Sequence, residues 1–197
     1  MRPSAKTFLF SVLAVSAFSG CSYHPAEMYP KAVEPYSAFT SDDVHNRECR
    51  IEFSDKVLVS GQGAWFDGKT VDISEGGVYT ITGSFDGNIS VTAEEPVKLI
   101  FTDASINSPD GSAIISKSQR LILCSDSGAS TLTGCCPEHG TAVCTAGAVL
   151  LMGSGNLSLD GGLFSGGEIQ FARGVNTFCE IIQNTTGHYV YGNLTIN

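Results

Sequence analysis

The sequence is poor in positive charge. Its 197 residues hold 11 Lys and Arg against 20 Asp and Glu, a formal charge of −9. From Val97 onward the only strong bases are Lys98, Lys117, Arg120 and Arg173. Nucleic acid rewards clustered Lys and Arg, so this balance argues against it as a partner. An uncharged sugar polymer, or an anionic one bridged by metal, suits the chain better. No window carries a helical period, which leaves an all-β reading. The apolar stretch at residues 8–18 is too short to span a bilayer as a stable anchor. Trp65 is the single tryptophan.

What is present is glycine, 22 residues of it, together with many β-branched residues in short runs. Between residues 71 and 195 these runs keep returning to one pattern. The first series is VKLIF at 97–101, LILC at 121–124, AVLL at 148–151 and FCEII at 178–182. A second, offset series is ASIN at 104–107, STLT at 130–133 and NLSL at 156–159. A third is SAII at 112–115, TAVC at 141–144, EIQF at 168–171 and HYVY at 188–191. Three strand series at one shared period, roughly 22 to 30 residues, predict a single-stranded parallel β-helix with three-sided coils. No run buries its apolar side alone; stacked on its neighbours, each adds side chains to a continuous core. An antiparallel β-sandwich, the competing all-β arrangement, does not account for the offset.

The N-terminal end reads as an export signal. Arg2 and Lys6 precede the apolar stretch, which ends in Phe18, Ser19, Gly20 and Cys21. This resembles a bacterial lipobox, with Phe18 where Leu is usual. It implies a signal peptide at 1–20, a lipidated Cys21, and a cell-envelope protein held outside the cytoplasm by its lipid alone. Residues 21–55 carry Pro25, Pro30 and Pro35 without periodicity, as a tether does. Ile51 and Phe53 in its second half are candidates to cap the stack. The β-helical domain is expected over 56–197. An open stack end would also allow end-to-end self-association.

The order of motifs from residue 71 to 134 resembles a known family, the bacterial carbohydrate-binding β-helix proteins typified by clostridial cellulose- and pectin-binding members. GVYTITG at 77–83 is followed by DGNISV at 86–91, VKLIF at 97–101, SINS at 105–108, GSAI at 111–114 and GASTL at 128–132. LLMGSGNLSL at 150–159 is similar to the family's next coil. The resemblance implies a right-handed β-helix, export, and binding of plant-type polysaccharide (pectin, polygalacturonate or cellulose) with calcium. The chain lacks the family's Asp-Gly-Ile turns after Gly134, and reads as a short or truncated member.

Candidate site residues follow from the strand geometry. Asp86, Asp103, Asp110 and Asp126 sit in or beside turns of successive coils, with Glu94 and Glu95, and are the candidate calcium ligands. With Ile114, Val143, Ile169 and Val190 inward, an outward ladder of Glu168, Gln170, Tyr189 and Tyr191 offers ring faces, amide and carboxylate to a sugar. Trp65 reads either as a cap residue or as a stacking platform.

Catalysis has little support. A polysaccharide lyase needs a base beside a uronate, for which Lys117 and Arg120 are candidates, and a hydrolase needs paired carboxylates at fixed separation. His139 and His188 have no partner at triad spacing. Cys49, Cys124, Cys135, Cys136, Cys144 and Cys179 leave three readings open: disulfides, buried thiols, or a metal cluster with His139. The expected function is a non-catalytic, polysaccharide-binding surface lipoprotein. The alternatives are a lyase-like enzyme and a structural or adhesive lipoprotein without a sugar ligand.

Overall fold

A computed structural model of the chain describes residues 47–134, 140–172, 182–183, 187–190 and 194–196. The leader, Cys21, Cys135, Cys136, His139, Cys179 and Tyr191 lie outside them. The described residues are all β, without a helix. The strands begin with β1 (Glu48–Phe53), β2 (Val57–Gly61), β3 (Ala64–Phe66), β4 (Thr70–Ile73), β5 (Gly77–Asp86) and β6 (Asn88–Val91). They continue with β7 (Val97–Asn107), β8 (Ile114–Ser116), β9 (Arg120–Ser127), β10 (Ala129–Thr133), β11 (Val143–Thr145) and β12 (Ala148–Gly153). The last are β13 (Asn156–Asp160), β14 (Leu163–Ser165), β15 (Ile169–Phe171), β16 (Ile182–Gln183), β17 (His188–Val190) and β18 (Leu194–Ile196).

Two sheets hold these strands, one of ten and one of eight. Pairing inside both is parallel between successive passes of the chain. In the large sheet β5 lies on β7, β7 on β9, β9 on β12 and β12 on β15. The far half of β7 pairs with β10, and β10 with β13. In the small sheet β4, β6, β8, β11 and β14 follow in parallel order. Antiparallel pairs occur at the ends: β1 with β2, β3 with β4, β13 with β18, and β14 and β16 with β17. The sheets are therefore mixed, with parallel interiors and antiparallel ends.

The alternation of side chains decides which face is inside. In β4, Val71 and Ile73 are fully buried while Asp72 between them is half-buried on the other face. Parallel register repeats this along the small sheet, so Val71, Ile89, Ile114, Val143, Leu163 and Val190 form one inward row. Opposite them, Leu99, Leu123 and Leu151 line up from the large sheet. Together these rows make one core. Phe53 stacks on Phe85 at 4.5 Å, and Phe66 meets Phe85 edge-on at 5.8 Å, filling the core where the stack begins. Ile51 and Phe53 enter that core from β1, which lies parallel to β5.

The long strands bend at register shifts, between Thr82 and Gly83 in β5 and between Phe101 and Thr102 in β7. Gly83 has φ +86°, and a Cβ there would strike the Phe53 carbonyl, so only glycine fits. Asp103 turns the next pass with φ +48°, a conformation that Asp tolerates better than most residues. Its Oδ1 accepts a bond from the Ala129 amide at 3.2 Å.

The expected third series needs a correction. Ile169 does not follow Val143; it pairs with Val149 in the large sheet and so belongs to the first series. The place after Val143 is taken by Leu163. The cause is local. Gly161 and Gly162, with φ +111° and +82°, turn the chain directly after β13, and Gly166 and Gly167 turn it again after β14. This pass is shorter than the two directly before it. Ile182, placed in the first series by spacing, lies instead in the small sheet against Tyr189.

Tyr79 is fully buried, and its hydroxyl donates to the Glu75 carbonyl at 2.6 Å, with the Gly63 carbonyl at 3.2 Å. Burial pushes the phenol up to about 12. The neutral phenol therefore supports the fold fully below its ordinary value of about 10, and that support drains away as pH climbs toward 12. Denaturant midpoints measured from pH 8 to 12 should fall more steeply for the wild type than for Tyr79→Phe. Equal slopes would show that the phenol is not coupled to folding.

Candidate functional site

Each outward surface of the stack is a set of ladders, because parallel register places equivalent residues about 4.8 Å apart from pass to pass. Three such surfaces differ in chemistry.

The first lies on the near half of the large sheet. It starts polar, with Glu48, Arg50 and Glu52 on β1 beside Thr80 and Thr82 on β5 and Thr102 on β7. A concavity of about 550 Å³ opens there, lined also by Ser60. Arg50 and Glu52 face each other at 3.6 Å. Both are exposed, so the pair adds little to stability. Farther along, this surface becomes apolar: Ile122, Ala148 and Leu150 form a buried cluster with Met152 and Ala172 against it. Glu168 and Gln170 stand at its far end on and beside β15, and the Gln170 amide donates to Glu168 Oε2 at 2.8 Å.

The second lies beyond the bend. One ladder there is Ser84, Ser105, Thr131 and Ser158. Beside it runs Asp86, Asn107, Thr133 and Asp160. Their apolar neighbours Ile106, Leu132, Leu157 and Leu159 point inward and are fully buried. The eight polar residues are exposed or half-exposed. Only one hydrogen bond joins their side chains, from Asn107 Nδ2 to Asp86 Oδ1 at 3.2 Å. The surface is thus a regular array of hydroxyl, amide and carboxylate groups, with most of its bonding capacity left for solvent or ligand.

The third is the outward face of the small sheet. Its row runs Trp65, Asp72, Ser90, Ile115, Cys144, Phe164 and Tyr189. Trp65 is 52 % exposed, whereas Cys144, Phe164 and Tyr189 are buried as a small cluster.

Of the expected ladder, Tyr191 lies outside the described residues, and Glu168 and Gln170 are kept apart from Tyr189. Glu168 and Gln170 belong with the large sheet and Tyr189 with the small one. Tyr189 is 3 % exposed and its ring packs against Phe164 at 4.7 Å, so it shows no face to a sugar. The four aspartates proposed for calcium are separated as well. Asp86 bonds to Asn107, Asp103 to the Ala129 amide, and Asp110 reaches Lys69 at 3.5 Å. Asp126 sits at the bulge in β9, where its carbonyl accepts the Ser154 hydroxyl. Among the described residues no three His, Cys, Asp or Glu side chains converge on one point, and these four aspartates each have a separate partner. Cys49 and Cys124 are buried free thiols whose burial pushes both up in pKa, which keeps them protonated and unreactive.

Comparison with known proteins bears on these surfaces. The profile of a family described as carbohydrate-binding domain-containing protein matches residues 67–175. The chain belongs to this family. No curated protein and no solved structure matches it. The span shared with the carbohydrate-binding domain family runs from the β3–β4 turn to just past β15 and contains every residue of the two ladders beyond the bend. The concavity of the first surface takes Glu48, Cys49, Arg50 and Ser60 from outside that span.

The ladder surface escaped the sequence reading. Its signal was present as a recurring polar–apolar–polar triplet: Ser84-Phe85-Asp86, Ser105-Ile106-Asn107, Thr131-Leu132-Thr133 and Ser158-Leu159-Asp160. The inward member of each triplet identified the strands, and the two outward members define the surface.

Proposed function

We propose that the protein is a non-catalytic polysaccharide-binding module whose ligand lies on the paired ladders beyond the bend. The observation that carries this reading is the array itself: eight small polar groups at a regular spacing, inside the span shared with carbohydrate-binding relatives. A sugar chain offers hydroxyls along its length, and Ser, Thr and Asn donate and accept in either sense. Small side chains also lose little rotamer freedom when they bind. The chain would coil as a right-handed parallel β-helix, in keeping with the parallel pairing of successive passes.

Pectin-like and cellulose-like polymers both remain within this proposal. Asp86 and Asp160 at the margin favour a neutral polymer over a uronate, which they would repel. Calcium stays part of the reading through the family resemblance alone, since the candidate aspartates do not converge. Anchoring through a lipid on Cys21, at the cell envelope of a bacterium, is likewise a proposal and rests on the lipobox-like sequence.

Affinity electrophoresis tests the ladder. Gels cast with a neutral glucan or with polygalacturonate, each run with calcium and with chelator, should retard the wild type in at least one. Ser105→Ala with Thr131→Ala should weaken that binding at least tenfold, about 1.4 kcal/mol, with little change in melting temperature. Undiminished retardation of the double variant would move the site elsewhere. The anchor has its own test: Cys21→Ser should abolish labelling by a palmitate analogue and release the protein from membranes.

A further inference from the structure

The single tryptophan stands apart from the ladders, on a hairpin the sequence holds in place. Ala64 and Phe66 of β3 are turned toward the core, with Phe66 edge-on to Phe85, so Trp65 between them is turned out and is 52 % exposed. The β3–β4 turn is fixed by Asp67, whose Oδ1 accepts the amides of Lys69 and Thr70 at 2.7 and 2.6 Å. Those two amides, Thr70 first, hold the Asp67 carboxyl below the usual carboxylate range.

Directly across the hairpin from Trp65 is Asp72. Its Oδ1 accepts the Thr92 hydroxyl at 3.0 Å, which orients the carboxylate and leaves Oδ2 without a partner among the described residues. Ser90 follows on the next strand. A lone exposed aromatic is ordinary on a protein surface. Here the ring shares an outward row with an oriented carboxylate and a hydroxyl, on strands about 4.8 Å apart. The three groups span about 10 Å, two strand spacings.

We infer that Trp65, Asp72 and Ser90 form a second sugar subsite, taking one pyranose ring of a neutral oligosaccharide. The apolar C–H face of the ring would stack on the indole, as amphipathic groups do on aromatic faces, while its hydroxyls donate to Asp72 and exchange bonds with Ser90. The inference rests on the carbohydrate-binding reading but on another surface. It joins a residue outside the family-matched span to two residues inside it.

Because Trp65 is the only tryptophan, its fluorescence reports on this subsite alone. The full chain is titrated with cellotetraose, with trigalacturonate as the charged control, and its pull-down by insoluble glucan is measured in parallel. Cellotetraose should shift or quench the emission saturably. Asp72→Asn should weaken that response at least tenfold, and calorimetry should show a similar loss for Trp65→Ala. Retention on insoluble glucan should persist in both variants. Unchanged emission in a chain that still binds insoluble glucan would overturn the subsite and leave the ladder reading standing. A saturable emission change without glucan binding would support the subsite and sink the ladder. Silence in both assays would overturn both.

Discussion

The backbone ladder between successive passes of the chain is the constraint on which everything else depends. β6, β8, β11 and β14 are three or four residues long, and none has enough apolar surface to hold itself in place. Each acquires its position by pairing, in parallel register, with the pass before and the pass after. That pairing is quasi-one-dimensional, so the interior of the stack is uniform and the ends are the exposed problem. The antiparallel pairs at those ends are a physical answer to it. β2 and β3 reverse onto the first passes, and β17 and β18 reverse onto the last, covering strand edges that would otherwise invite another chain to pair.

Parallel register also explains how so plain a sequence makes a specific surface. A residue type repeated once per pass becomes a row. Inward rows of Val, Ile and Leu fill the core, and Phe53, Phe66 and Phe85 fill its first turn, where the interior has no pass beyond it. Outward rows of Ser, Thr, Asn and Asp make a continuous polar surface without any loop being shaped for it. A surface of this kind is extended and repetitive, as a polysaccharide is. The bend at Gly83 and Asp103 separates this surface from the one that carries Arg50 and Lys98, so the two halves of the same long strands differ in charge.

Much of the fold was legible because strand periodicity is a strong signal when it recurs. The runs at 97–101, 121–124 and 148–151 do lie on one another, as do those at 104–107, 130–133 and 156–159. Legibility failed where the period shortened. Leu163-Phe164-Ser165 has two adjacent apolar residues between glycine pairs and no alternation, so its place in the inward row was invisible and Ile169 was given it. The error carried over to the site. With Ile169 in the wrong series, Gln170 and Tyr189 fell into one ladder that the sheets keep apart. Tyr189 further shows that alternation alone does not give exposure, since Phe164 and Cys144 bury its outward side. The ladder triplets carry their signal in small polar side chains held in register, with no aromatic or charged cluster to mark them.

The most direct test of the account is amide shift mapping by nuclear magnetic resonance while a soluble glucan is added to the isotopically labelled protein. Perturbations should concentrate on Ser84, Ser105, Thr131 and Ser158 and on the flanking row through Asn107 and Thr133. Binding that leaves these amides silent, with the shifts gathered instead around Glu48, Arg50 and Thr80, would contradict the ladder reading.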